Sequence, residues 1–142
     1  DVYALPFAPD SIDCIVTAEV IEHVPDPASF LTCLLKVLKP NGTLIVTTPY
    51  NEKIQYSLCI HCNCVTPLHA HLHSFTREKI KSLIVGQQLS SVETSTLSNK
   101  ALTTLRTHFL LKYLPFGAWR LVDKLVNKII NKPARLMMKI VK

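Results

Sequence analysis

The sequence predicts an open α/β sheet with helices on both faces. Three observations carry that reading: short apolar or β-branched runs at 14–18, 43–48 and 91–97, helical-period stripes between them, and turn residues at their boundaries. At 142 residues and 48% hydrophobic, the chain can bury one core. Its 18% of charged residues is too few for a disordered segment.

Each element has a local cause. Cys14-Ile15-Val16-Thr17-Ala18 is apolar without alternation, which predicts a strand buried on both faces. Asp26 is a good helix N-cap and Pro27 a good first helical residue. Phe30, Leu31, Leu34, Leu35 and Leu38 then repeat at helical spacing, with Lys36 and Lys39 near the negative end of the dipole. Pro40-Asn41-Gly42 predicts a turn, and Thr43–Thr48 a second buried strand closed by Pro49. Residues 50 to 75 show no period, and so long a connection usually serves function. Thr76 can cap a helix whose buried stripe is Ile80, Leu83 and Ile84, running to Gly86, and Ser91–Leu97 reads as a third strand. Two helices follow over 101–131, broken at Pro115-Phe116-Gly117; in the second, Leu121, Val122, Leu125, Val126, Ile129 and Ile130 form one apolar face. Pro133 stops it, and Arg135–Val141 reads as a last strand.

Composition narrows the functional classes. The three glycines, Gly42, Gly86 and Gly117, allow neither a GxGxxG turn nor a GxxxxGK[ST] loop, so any nucleotide-cradling loop is expected outside this chain. The opening at Asp1, running straight into a Leu-Pro-Phe turn, reads as the interior of a longer protein. Residues 1–99 hold six Lys/Arg against nine Asp/Glu, whereas residues 100–142 hold ten against Asp123 alone. The basic tail suits an anionic partner or, more simply, a solvated helix face. No apolar stretch reaches a bilayer span, because Lys112, Pro115 and Arg120 interrupt the best one. Five cysteines fit a reducing compartment, hence a cytoplasmic protein, better than a disulfide scaffold. In an open sheet ligands gather outside the carboxyl ends of strands, here Ala18–His23 and Thr48–Asn51.

The motifs Asp1–Phe7, Ser11-Ile12-Asp13, Glu19-Val20-Ile21-Glu22-His23-Val24 and Leu38–Leu44 stand in a familiar order. Over residues 1–97 the chain resembles the later half of the class I S-adenosylmethionine-dependent methyltransferases. The resemblance implies a Rossmann-like three-layer α/β/α sheet of which strands four to seven are present, the last inserted antiparallel. Residues 1–100 would then be core, 101–132 an inserted amphipathic basic helical pair and 133–142 the last strand. It also implies S-adenosylmethionine as cofactor, with Asp1 on the adenine amino group, Val2 against the ring, and Ala18 and Glu19 lining the methionine end. The family's glycine-rich loop and ribose-binding acid have no counterpart in this sequence, so the chain by itself is expected to hold the cofactor poorly and to be inactive.

Glu19, Glu22 and His23 are spaced i, i+3 and i+4, so a helical turn would present them on one face. The EVIEH sequence is similar to that of the small-RNA 3′-terminal 2′-O-methyltransferases and partly to the ubiquinone-pathway O-methyltransferases, where these positions bind metal. The resemblance makes His71, six residues before Arg77, the fourth ligand of Glu19, Glu22, His23 and His71. The same motif occurs in relatives without metal, where the glutamate and histidine organise the loop or orient substrate. His23, assisted by Glu22, is the candidate general base, since an imidazole titrates near neutral pH. Tyr50, Asn51 and Tyr56 are substrate-contact candidates by position, as is His71. Cys59, Cys62 and Cys64 with His69, His71 and His73 carry zinc-ligand chemistry at a spacing poor for a finger, the alternative being a loop of reduced thiols over the cleft.

The predicted function is methyl transfer to a small or lipid-linked acceptor. Residues 101–131, with Phe109, Tyr113, Phe116 and Trp119 around the helix break, are read as a peripheral membrane anchor, a lid or a dimer surface. Rival readings are a metal-assisted RNA 2′-O-methyltransferase and a non-catalytic scaffold that kept the fold. Nucleic acid is the less favoured partner, because no recognisable RNA-binding module interleaves aromatic and basic residues.

Overall fold

A computed structural model of the chain describes residues 1–100, 113–130 and 132–142. They form β1 (Ile12–Ala18), α1 (Pro27–Val37), β2 (Leu38–Pro49), a hairpin of β3 (Tyr56–Leu58) and β4 (Val65–Pro67), a 3-10 turn at Leu68–Ala70, α2 (Arg77–Ser82), β5 (Ser91–Asn99), α3 (Phe116–Ile129) and β6 (Pro133–Val141). The main sheet has the order β1-β2-β6-β5. β1 and β2 are parallel, and β6 lies antiparallel between β2 and β5, as expected of the last strand.

Capping starts α1 where the sequence predicts. The Asp26 carboxylate accepts from the amides of Ala28 and Ser29, both at 3.1 Å. The Ser29 hydroxyl, donating to the same group, holds the acid below the usual carboxylate range. Phe30, Leu31, Leu34 and Leu35 are buried in the core with Leu44 and Val46 of β2, Leu136, Met138 and Ile140 of β6, Phe75, and Ile80 of α2. α2 ends at Ser82, short of Gly86.

The turn expected at Pro40–Gly42 is absorbed into β2. Pairing passes from Ile12–Leu38 to Cys14–Thr43, so one residue of β1 faces four of β2, with Asn41 left-handed at φ 63°. Gly42 is needed there, because a Cβ would sit 2.8 Å from the Lys39 carbonyl and 2.9 Å from Leu38 Cγ.

The register assigns helices to both faces. Leu44, Val46 and Thr48 face α1, whereas Ser95, Leu97 and Met137 on the opposite face line a cleft with Trp119 and Asp123 of α3. Two expectations need correction. β1 is covered on one face, not both: Thr17 is buried, but Cys14, Val16 and Ala18 are exposed, because α3 packs on β5 and no described element reaches their side. α3 also buries only part of the apolar face predicted. Val122, Val126 and Trp119 turn inward together with the buried Asp123, while Leu121, Leu125 and Ile129 stay exposed. Asp123 Oδ2 accepts from the Ser98 amide at 2.9 Å, while Oδ1 is buried with no hydrogen-bond partner among the described residues. The first of the two helices predicted after Asn99, with Phe109, falls at 101–112, outside the described residues.

Candidate functional site

Residues 1–11 run alongside α1 in the same direction. The Tyr3 hydroxyl accepts from the Asp26 amide at its start, and the amides of Asp10 and Ser11 donate to Lys36 and Val37 at its end. Asp1 and Val2 are therefore at the carboxyl end of β1, the end at which Ala18 and Glu19 leave the sheet. Both are exposed, and the Asp1 carboxylate accepts from the Tyr3 amide at 3.0 Å.

Glu19 and Glu22 do not share a face. Glu19 is left-handed at φ 54°, which ends any helical continuation, and its amide donates to the Thr47 carbonyl at 3.0 Å. Its carboxylate accepts from the Thr47 hydroxyl at 3.0 Å and pairs with Arg135 at 3.3 Å. Glu22 accepts instead from the hydroxyl of Thr48 at 3.1 Å. Because Thr47 and Thr48 are consecutive strand residues, they point to opposite faces of the sheet and take the two glutamates with them. Of the four residues expected to ligate metal, the structure brings Glu22, His23 and His71 together and sets Glu19 apart.

One ligand atom from each of those three lies within 4.8 Å of the others. The cause is a set of cross-loop bonds. Leu72 and His73 amides donate to the Glu22 carbonyl at 2.8 and 3.2 Å, and His73 Nε2 donates to the Val24 carbonyl at 3.0 Å. His23 Nδ1 donates to the Ala70 carbonyl at 3.1 Å, and His71 Nδ1 donates to the Glu52 carboxylate. Both imidazoles thus spend their Nδ1 proton on an acceptor and, when neutral, keep a lone pair at Nε2. Their rings meet edge to face at 4.8 Å.

The Glu22 side chain is 1% exposed, and burial pushes its carboxyl above the usual range. Oε2 has Thr48, but Oε1 is buried with no hydrogen-bond partner among the described residues, 4.0 Å from His23 Nε2. A buried orphan carboxylate oxygen beside two oriented imidazoles is a donor set that suits a borderline divalent cation. The carboxylate behind His71 is the kind of outer partner that orients a metal-binding histidine.

A cleft of about 140 Å³, lined in part by Glu52, Gln55, His69 and His71, opens beside the cluster. Tyr50 packs half-buried against the core, its amide bonded to the Ala134 carbonyl; Asn51 is exposed and left-handed at φ 45°. Tyr56 is exposed on β3. Cys59, Cys62 and Cys64 occupy the tip of the β3–β4 hairpin, which is closed by the Cys59 amide on the Cys64 carbonyl at 2.9 Å. Backbone amides of Cys62 and His61 draw the Cys59 thiol below its ordinary range. Among the described residues these thiols are not gathered with histidines into a metal-sized group.

Sequence reasoning missed Glu52, Thr48, Arg135 and the bridging part of His73. Glu52 stands 19 residues from His71 in an aperiodic stretch, and Arg135 lies on a strand paired beside β2 across the whole chain, so neither carries a local signal.

Residues 1–46 match the family described as Methyltransferase domain. The chain is 41% identical over 87 residues to the mitochondrial ubiquinone biosynthesis O-methyltransferase of Bos taurus, covering 57% of this chain and 24% of that protein. It is 43% identical over 51 residues to the human protein of the same name, covering 36% and 14%. The chain thus spans a quarter or less of these curated relatives. In structure it is similar to a phosphoethanolamine N-methyltransferase from Haemonchus contortus, with a TM-score of 0.58 and 15% identity over 100% of this chain and 36% of that one. A methyltransferase from Archaeoglobus fulgidus gives 0.60 and 11% over 96% and 62%. With the antiparallel β6 wedged between β2 and β5, the chain has the Rossmann-like fold of these solved methyltransferases, and its first strand and helix carry the family match.

Proposed function

We propose that this chain forms the acceptor-facing part of an enzyme that methylates a hydroxyl group on a small or lipid-linked molecule, with S-adenosylmethionine as donor. The observation that carries the reading is the Glu22–His23–His71 group, fixed by cross-loop hydrogen bonds at the carboxyl end of β1. The donor supplies an electrophilic methyl group on a sulfonium. The exposed Asp1 and Val2 are assigned to its adenine side, and Ala18 and Glu19 to its methionine end. Arg135 and Thr47 hold the Glu19 carboxylate in one orientation there. His23, 38% exposed and with Nδ1 committed to Ala70, offers Nε2 to accept the proton of an acceptor hydroxyl. The relatives named as ubiquinone biosynthesis O-methyltransferases support oxygen as the acceptor atom.

The test is transfer of labelled methyl from S-adenosylmethionine to phenolic acceptors by the full-length protein. His23→Ala should lower kcat/KM about 100-fold or more while cofactor affinity by calorimetry stays the same. Undiminished methylation by that variant overturns the base assignment, and absence of cofactor binding in the unaltered protein favours a scaffold.

The orphan Oε1 of Glu22 favours a second reading in which Glu22, His23 and His71 hold a divalent cation. Such an ion would act as a Lewis acid that lowers the pKa of an acceptor hydroxyl. In that case His23 is a ligand and not the base. Activity that is lost to a chelator and restored by added metal separates the two readings.

A further inference from the structure

α3 is amphipathic, but its apolar arc is wider than the surface it covers. Val122, Val126 and Trp119 lie against the sheet side, whereas Leu121, Leu125 and Ile129, spaced by four, are 60%, 52% and 83% exposed. Next to that stripe runs a second one, also spaced by four: Phe116, Arg120, Lys124 and Lys128, all exposed, with the Arg120 guanidinium 5.8 Å from the Phe116 ring centroid. On this helix acidic side chains are confined to Asp123, which is buried on the opposite side. No described helix is long and apolar enough to cross a membrane.

We propose that α3 docks the protein on an anionic lipid surface. Leu121, Leu125 and Ile129 enter the headgroup boundary, and Arg120, Lys124 and Lys128 meet the lipid phosphates. Charge complementarity selects this occupant. A second copy of the chain would bring the same row of cations against itself, whereas an anionic bilayer answers both stripes at once: apolar depth for one, fixed negative charge for the other. The geometry matches an in-plane helix, since its remaining face is already bound to β5, leaving the exposed edge to lie along the surface. The proposal stands whether or not the cleft transfers a methyl group.

The test is flotation of the full chain with phosphatidylcholine vesicles, with and without phosphatidylglycerol. The unaltered protein should float with the anionic vesicles at low salt, sink as salt rises and ignore pure phosphatidylcholine. Lys124→Gln/Lys128→Gln should weaken partitioning about 25-fold, at about fivefold per cation, and Lys124→Arg/Lys128→Arg should restore it. Leu121→Glu/Leu125→Glu should weaken it tenfold or more, with a thermal melt like that of the unaltered chain because both positions are exposed. Three results overturn the proposal: equal flotation of all variants, self-association in sedimentation velocity that the Glu pair abolishes without any vesicle binding, or retention on single-stranded RNA in place of vesicles.

Discussion

Replacing Glu22 by Gln should stabilise the protein at neutral pH and remove a metal response. The wild-type side chain is almost wholly buried, has one oxygen on Thr48 and leaves the other without a partner. A buried polar atom in that state costs about 1–3 kcal/mol, more when charged. Gln keeps the acceptor for Thr48 and sheds the charge, but its amide nitrogen inherits the unpartnered position. Part of the cost is therefore recovered, about 1 kcal/mol, which for a chain of this size raises Tm by about 3–5 °C. The sign with pH is fixed by linkage. Burial raises the folded-state pKa of Glu22, so below the unfolded-state value both states are protonated and no penalty exists; the penalty grows as pH rises and is complete above the folded-state value. The advantage of the Gln variant should accordingly be small in acid and full at neutral pH. Thermal unfolding by circular dichroism in EDTA at several pH values reads this directly. Added Zn²⁺ or Mn²⁺ should then raise the wild-type melt and leave the variant unmoved, if the cluster holds a cation. A Gln variant that melts lower than wild type at neutral pH, or that keeps the wild-type pH dependence, would refute the reasoning.

Two further outcomes follow from the same contacts. His73→Ala removes the donor to the Val24 and Pro25 carbonyls and loosens the loop that carries Glu22 and His23; it should lower stability by about 1 kcal/mol, read as a urea midpoint shift at constant m-value. Cys59 should be alkylated by iodoacetamide ahead of Cys62, Cys64, Cys14 and Cys33 near pH 7, because hairpin-tip amides favour its thiolate. Peptide mass spectrometry at short labelling times would show the order, and Cys14 reacting first would contradict it.

The strands, the Asp26 cap and the antiparallel last strand were legible in the sequence because each rests on local signals or on motif order. The burial of individual faces was not. Periodicity reports that α3 has an apolar arc, but which part of the arc is covered depends on Ser98, whose amide draws Asp123 inward from a strand 25 residues away. The candidate site was half legible for a similar reason. Glu22, His23 and His71 were singled out by motif, and the structure gathers them. Glu19 shares their spacing yet leaves their face, because spacing predicts a common side only if the backbone is helical, and Glu19 is left-handed. The partners that orient the histidines, Ala70 and Glu52, are supplied by a loop whose course no periodic pattern encodes.

The position of β6 imposes an order on assembly. β2 and β5 have no hydrogen bonds to each other, and both are completed by a strand that begins at Pro133. On the ribosome, therefore, most of the chain waits as a parallel pair beside an unmated ribbon until residues 133–141 emerge, and the sheet then closes around them in one step. A chain broken off before Pro133 would leave two raw edges, a form suited to chaperone capture and to clumping with its own kind.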